Sequence, residues 1–210
     1  MLQFITNTES TVPVRDQIAA ALDGGCRWIQ LRMKNASDDE IRQIVKDMKP
    51  MCDRAGAFLI LNDRVELAKE LDVTGVHIGK EDMSPTEARA ILGAGAVIGV
   101  TVNTFQDVLR VANCDIDYLG IGPFRHTTTK KNLSPVLGLE GIREICSRMK
   151  ENEIELATVA VGGIEEGDLA DLIHAGVQGV AVSGAIAKSG DIPATTRRFL
   201  GLLESLAAEK

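Results

Sequence analysis

Residues 75–100 read G-V-H-I-G-K-E-D-M-S-P-T-E-A-R-A-I-L-G-A-G-A-V-I-G-V. A four-residue apolar run, 75–78, gives way to polar residues. Ser84-Pro85-Thr86-Glu87 then has the form of a helix start, with serine as cap, proline in the first turn and glutamate at the third position. Gly93 marks the exit of that helix, and a second apolar run begins at Val97. This is a strand–helix–strand unit, and it recurs along the chain. Apolar runs at 2–6, 28–32, 58–61, 118–122, 157–161 and 179–182 complete a set of eight candidate strands. The segments between them read as amphipathic helices. In 39–55, for instance, Ile41, Ile44, Val45, Met48 and Cys52 fall at helical spacing. The last two helices are expected at 168–175 and 192–208, and Gly25, Gly56 and Gly176 stand at further helix exits. Eight such alternations in 210 residues predict one closed (β/α)8 TIM barrel, an α/β domain spanning 1–210. The alternative is an open doubly wound sheet, but no G-x-G-x-x-G follows the first run.

Composition narrows the function. The chain is 45% hydrophobic but only 3% aromatic, so aliphatic residues must fill the core. A net charge of -7 leaves no basic excess for a nucleic-acid backbone, so any anionic ligand must be drawn by local cations or a metal. Cys26, Cys52, Cys114 and Cys146 show no C-x-x-C spacing and sit in or beside apolar segments, as buried reduced thiols of a cytoplasmic protein would. No apolar run has membrane-spanning length, so no membrane role is expected.

In a barrel of this kind, function gathers where strands end and loops to helices begin. Polar residues cluster there. Gln30, Arg32 and Lys34 alternate with Leu31 and Met33, which would put the three polar groups on one inward side. Two inward cations call for an anion, although a capping charge cluster would carry the same pattern. Asn62 and Asp63 end the third run. Asp63 suits three jobs: ligand for a hard metal, orienting acceptor, or helix cap, the commonest role for an aspartate there. Asp82 follows the fourth run, so two carboxylates stand at neighbouring strand ends. His77 lies inside that run and reads as a satisfied core histidine. Thr101 ends the fifth run. Glycine-rich turns at Gly162-Gly163 and Ser183-Gly184 follow the last two strands, a common place for a phosphate in barrels. The longest polar stretch, after Pro123, is R-H-T-T-T-K-K at 125–131. Its hydroxyls and ammonium groups suit phosphate or pyrophosphate, and they equally suit a solvated loop.

Taken together these stretches resemble the thiamine-phosphate synthase family. The carriers are Q-L-R-M-K at 30–34, N-D-R at 62–64, G-V-H-I-G-K-E-D-M at 75–83, I-G-V-T at 98–101, D-Y-L-G-I-G-P…T-T-T-K-K at 117–131, G-L-E-G at 138–141, V-G-G-I at 161–164 and G-V-A-V-S-G-A-I at 179–186. The match is collinear over nearly the whole chain. The resemblance implies an enzyme that joins a hydroxymethylpyrimidine diphosphate to a thiazole phosphate (or its carboxylated form), forming thiamine phosphate and releasing pyrophosphate. It implies that Gln30, Arg32, Lys34, Asn62, Thr101 and Lys130 hold the pyrimidine diphosphate, and that Asp63 and Asp82 bind Mg²⁺. It implies that Thr127, Thr129, Gly163, Ser183 and Gly184 form the thiazole phosphate site. The partners are therefore small molecules. Three features depart from the family pattern: Phe124-Arg125-His126 replaces the usual Ile-Phe-Pro, Lys80 replaces a glutamine, and Ser183 comes one position early. Arg125 and Lys80 thus place two extra cations near the expected site.

The chemistry so implied is rupture of a C–O bond to pyrophosphate. Mg²⁺, Arg32, Lys34 and Lys130 would neutralise the leaving group, and an electron-rich aminopyrimidine would tolerate a dissociative, carbocation-like path. Two rivals share the scaffold: a thiazole tautomerase-like isomerase, which needs a proton shuttle such as His77 or His126, and a non-catalytic thiamine phosphate-binding protein.

Overall fold

In the apolar runs, every second side chain faces a layer of helices and the others face inward, so each run is buried on both sides. The computed structural model describes residues 1–126 and 135–208. In chain order its elements are β1 (Leu2–Ile5), α1 (Val14–Asp23), β2 (Trp28–Leu31), α2 (Asp38–Ala55), β3 (Phe58–Asn62), α3 (Val65–Glu70), β4 (Gly75–Ile78), α4 (Pro85–Leu92) and β5 (Val97–Val102). They continue with α5 (Phe105–Val111), β6 (Tyr118–Ile121), α6 (Gly138–Glu151), β7 (Ala157–Val161), α7 (Leu169–His174), β8 (Gly179–Val182), α8 (Gly184–Ala187) and α9 (Ile192–Ala208). The strands pair in parallel in sequence order, and β1 closes on β8, giving the expected (β/α)8 barrel.

Two apolar layers result. Outward-facing Phe4, Ile29, Leu61, Val76, Ile98, Leu119 and Val180 pack with the helices into the main core. Each such side chain contributes roughly 1.5–3 kcal/mol by leaving water. Inward-facing Ile5, Ile60, Tyr118, Val159 and Ala181 form a smaller cluster inside the barrel. Polar residues share that interior: Gln3, Gln30 and His77 are all buried.

Helix ends follow the local chemistry. Ser37 caps α2 and Ser84 caps α4, each in a reciprocal box with a glutamate three residues on, worth about 1 kcal/mol per cap. Helix α2 buries Ile41, Ile44, Val45, Met48 and Cys52, as the spacing predicts, and runs through Pro50. Strand limits differ slightly from expectation. β1, β2 and β6 each stop one residue early, while β3 reaches Asn62 and β5 reaches Val102. The segment expected as helix 168–175 opens with a 3₁₀ turn, Glu166–Asp168, and α7 proper starts at Leu169. The cysteines need a correction: all four are free, but only Cys26 and Cys52 are buried, whereas Cys114 and Cys146 are partly exposed. Both of those lie at or beside helix surfaces, where an apolar neighbourhood in sequence does not ensure a covering layer.

Candidate active site

The site is built at the C-terminal rim of the barrel. Thr6, just past β1, braces Arg32, just past β2: its hydroxyl accepts the Arg32 N–H at 2.8 Å and donates to the Arg32 carbonyl at 3.2 Å. Burial pulls the pKa of the Arg32 guanidinium down, opposed by the nearby carboxylates of Asp63 and Glu9. A partly desolvated arginine in this position is ready for a second anion. Lys34 is placed differently from expectation. β2 ends at Leu31, so the inward alternation stops, and Lys34 sits exposed in a turn, although its charge still reaches Asp63.

Asp63 follows β3 with φ at 68°, in the left-handed region that aspartate tolerates better than most residues. It does not cap α3, whose N-terminus has no side-chain cap. Its carboxyl instead meets that of Asp82. Burial raises the Asp63 pKa most, the hydrogen bond and charge of Asp82 add to the rise, and Lys34 and Arg32 oppose it, leaving Asp63 pushed up to about 6. Asp82 also accepts the Gly79 N–H at 2.7 Å, which folds the loop after β4 back over the rim. An all-oxygen pair whose negative charge is unfavourably concentrated fits a hard divalent cation. Among the described residues no three His, Cys, Asp or Glu side chains gather. The remaining coordination positions would therefore fall to substrate oxygens and water.

Below the rim, side chains from five strands, all buried except the partly buried Thr101, are joined in series. Gln30 Nε2 donates to Gln3 Oε1 at 2.9 Å, and Gln3 Nε2 donates to the Tyr118 hydroxyl at 2.9 Å. His77 Nδ1 lies 2.9 Å from that hydroxyl, and His77 Nε2 lies 2.9 Å from Thr101 Oγ1. Gly99 makes room for this arrangement, because a Cβ there would stand 2.0 Å from Tyr118 Cζ. His77 is thus the satisfied core histidine expected. Gln3 and Tyr118 were missed as site residues. The available signal was a lone glutamine at an inward position of an apolar strand.

On the opposite side, Gly162 and Gly163 turn the chain after β7 with φ of 105° and 65°. Arg125 crosses to this turn. It donates to the Gly163 carbonyl at 3.0 Å and grips Asp168 with two bonds of 2.5 Å. Its charge is therefore spent on Asp168, whose hydrogen bond raises the Arg125 pKa. Lys80 likewise pairs with Asp107 at 2.8 Å. Neither departure from the family pattern supplies a spare cation, which corrects that expectation. At the β8 exit, Asn7 Nδ2 donates to Ser183 Oγ at 3.1 Å, and Gly184 opens the short α8, whose first N–H groups have no intrahelical acceptor. Thr127, Thr129 and Lys130 lie outside the described residues. A hollow of about 390 Å³ lined by Lys49, Asp53, Lys69, Asp72 and Thr74 lies at the other end of the barrel, away from all these groups.

Known proteins resemble this chain over most of its length. Residues 2–186 match the thiamine monophosphate synthase family. A thiamine-phosphate synthase of Bacteroides thetaiotaomicron is 51% identical over 201 residues, covering 96% of each chain. One from Flavobacterium johnsoniae is 42% identical over 190 residues, covering 90% of each. The solved thiamine phosphate pyrophosphorylase from Pyrococcus furiosus superposes with a TM-score of 0.86 at 30% identity, over 98% of this chain and 96% of that one. No helix among the described residues is long and apolar enough to cross a membrane. With a family match over most of its length and relatives this similar, the chain belongs to the thiamine monophosphate synthase family.

Proposed function

We infer that this barrel, acting as one domain over 1–210, joins an aminopyrimidine hydroxymethyl diphosphate to a thiazole phosphate, giving thiamine phosphate and pyrophosphate. The observation that carries the reading is the close pairing of Asp63 and Asp82 at adjacent strand ends, beside Arg32 and Lys34. That is an oxygen-ligand pair next to cations, as a Mg²⁺–diphosphate requires. Mg²⁺ held there supplies charge neutralisation at the leaving pyrophosphate.

The chain's own groups have the following roles. Asp63 and Asp82 hold the cation. Arg32, Lys34 and Lys130 bind and stabilise the diphosphate as it departs, while Gln30, Asn62 and Thr101 orient the pyrimidine diphosphate. Thr127, Thr129, Gly163, Ser183 and Gly184 hold the thiazole phosphate, the two glycine turns through backbone N–H groups. With the thiazole nitrogen on the far side of the exocyclic carbon, a carbocation-like path needs no protein nucleophile. Both ring nitrogens of His77 are engaged by Tyr118 and Thr101. It is therefore poorly placed as the proton shuttle that an isomerase would need.

The test is pyrophosphate release. It should require both substrates and a divalent cation together. Proton exchange in the thiazole without pyrophosphate release would favour the isomerase. Tight thiamine phosphate binding with no turnover would favour a binding protein.

A further inference from the structure

The interior chain of hydrogen bonds has a direction. The Tyr118 side chain is 2% exposed, and burial pushes its phenol pKa up, so it stays protonated and has one proton to give. Its oxygen already accepts from Gln3 Nε2. Among the described residues the other polar atom in hydrogen-bond reach is His77 Nδ1. A buried hydroxyl proton without an acceptor costs roughly 1–3 kcal/mol. The phenol therefore donates to Nδ1, which makes Nδ1 the bare nitrogen and puts the imidazole proton on Nε2. Nε2–H then donates to Thr101 Oγ1. Thr101 is only partly buried, and its own proton remains for whatever sits at the rim.

We propose that Gln3, Tyr118 and His77 are positioning residues that lock the Thr101 hydroxyl as a hydrogen-bond donor toward the pyrimidine diphosphate, so that the site selects an acceptor atom at that point. The substrate part rests on the proposed function; the hydrogen-bond direction does not. The acceptor is either an unprotonated ring nitrogen or a diphosphate oxygen, since both present a lone pair. The relay removes the ambiguity of a threonine hydroxyl, which in isolation donates or accepts equally well. None of the three positioning residues needs to touch substrate to exert this effect. Gly99 belongs to the same device, because its missing side chain is what lets the Tyr118 ring reach across the barrel.

The relay is read first without activity, by ¹⁵N NMR of histidine-labelled protein. The chain has three histidines, so loss of one signal in His77→Gln assigns it. Free wild-type protein should show His77 as the neutral Nε2–H tautomer, and Tyr118→Phe should lose that preference. An Nδ1–H tautomer in the wild type would overturn the inference. Binding of the pyrimidine diphosphate with Mg²⁺ is then measured by calorimetry in a double-mutant cycle. Thr101→Val, nearly isosteric, should weaken binding about tenfold, the value of one lost hydrogen bond, and Tyr118→Phe by a smaller factor. The double variant should be no weaker than Thr101→Val, because both act through one hydroxyl. Additive losses would overturn the positioning role. Inorganic pyrophosphate and the unphosphorylated hydroxymethylpyrimidine, used as separate probes, assign the acceptor to the diphosphate or the ring. If Thr101→Val leaves binding of every probe unchanged while the tautomer is as stated, the placement of Thr101 at the substrate is wrong and the relay stands.

Discussion

Replacing Asp63 by asparagine should stabilise the metal-free protein and abolish the benefit of Mg²⁺. Asparagine is the informative choice because it tolerates the left-handed backbone at this position, φ 68°, where alanine would add strain. The Asp63 carboxyl is raised from 3.8 to about 6, first by burial and then by Asp82, against Lys34 and Arg32. A folded-state pKa above the unfolded one means that the folded chain holds the proton more tightly. The stability this gives is present below about pH 4 and is lost as pH rises through about 6. At 1.36 kcal/mol per pH unit the full effect would be ~3 kcal/mol. The rim is partly open to solvent, and that screening reduces it to roughly 1–2 kcal/mol. The assay is urea unfolding of wild type and Asp63→Asn from pH 4 to 8 in chelator, then with saturating Mg²⁺. The difference between the two proteins, rather than either curve, isolates Asp63 from other carboxylates. In chelator the variant should gain on the wild type between about pH 4 and 6 and stay the more stable above 6. With Mg²⁺ at a hundredfold its dissociation constant the wild type should gain about 2.7 kcal/mol, and the variant little. A variant less stable than wild type at pH 8 in chelator, or equal Mg²⁺ stabilisation of both, would refute the reasoning.

Three further outcomes are expected. Arg125→Ala breaks a partly exposed pair, with Asp168 the more covered partner, and should cost about 1 kcal/mol of stability. It also frees the Gly163 turn, so KM for the thiazole phosphate should rise several-fold with KM for the pyrimidine diphosphate unchanged; equal rises would show that Arg125 does not act through that turn. Lys80→Met removes a partner of buried Asp107, whose carboxyl is kept below its usual range because Lys80 and backbone N–H groups outweigh burial. Stability should fall by about 1–2 kcal/mol at neutral pH, and the loss should vanish once acid protonates Asp107; a loss that persists at low pH would point to packing instead. Lys130→Ala should slow the chemical step in single-turnover experiments by an amount equivalent to about 2–4 kcal/mol, with thiazole phosphate binding little changed; an unaltered rate would remove Lys130 from the leaving-group stage.

The barrel was legible because parallel strands under helices leave continuous apolar runs, and 75–78, 157–161 and 179–182 coincide with β4, β7 and β8. Rim residues were legible for a related reason: Asp63, Asp82 and Thr101 are polar residues where such runs end, and Gln30 is a polar residue one position before the end of β2. What escaped was pairing across long sequence separation. Gln3 meets Tyr118 at a separation of 115 residues and Arg125 meets Asp168 at 43. No local pattern encodes either. Hence Arg125 and Lys80 read as spare cations, though each has a carboxylate partner in the next β/α unit, Asp168 in the 3₁₀ turn after β7 and Asp107 in the first turn of α5. The place of Lys34 was misread because alternation was carried past Leu31, where the strand stops.

The central claim is that the β3 and β4 ends hold the metal–diphosphate. Anomalous diffraction from crystals grown with Mn²⁺ and a non-reactive analogue of the pyrimidine diphosphate tests it most directly. A manganese peak bonded to both Asp63 and Asp82 and to diphosphate oxygens, with the ring above Gln30 and Thr101, is the result expected. Metal and diphosphate bound away from these carboxylates, for example in the hollow beside Lys49 and Lys69 at the far end of the barrel, would contradict it.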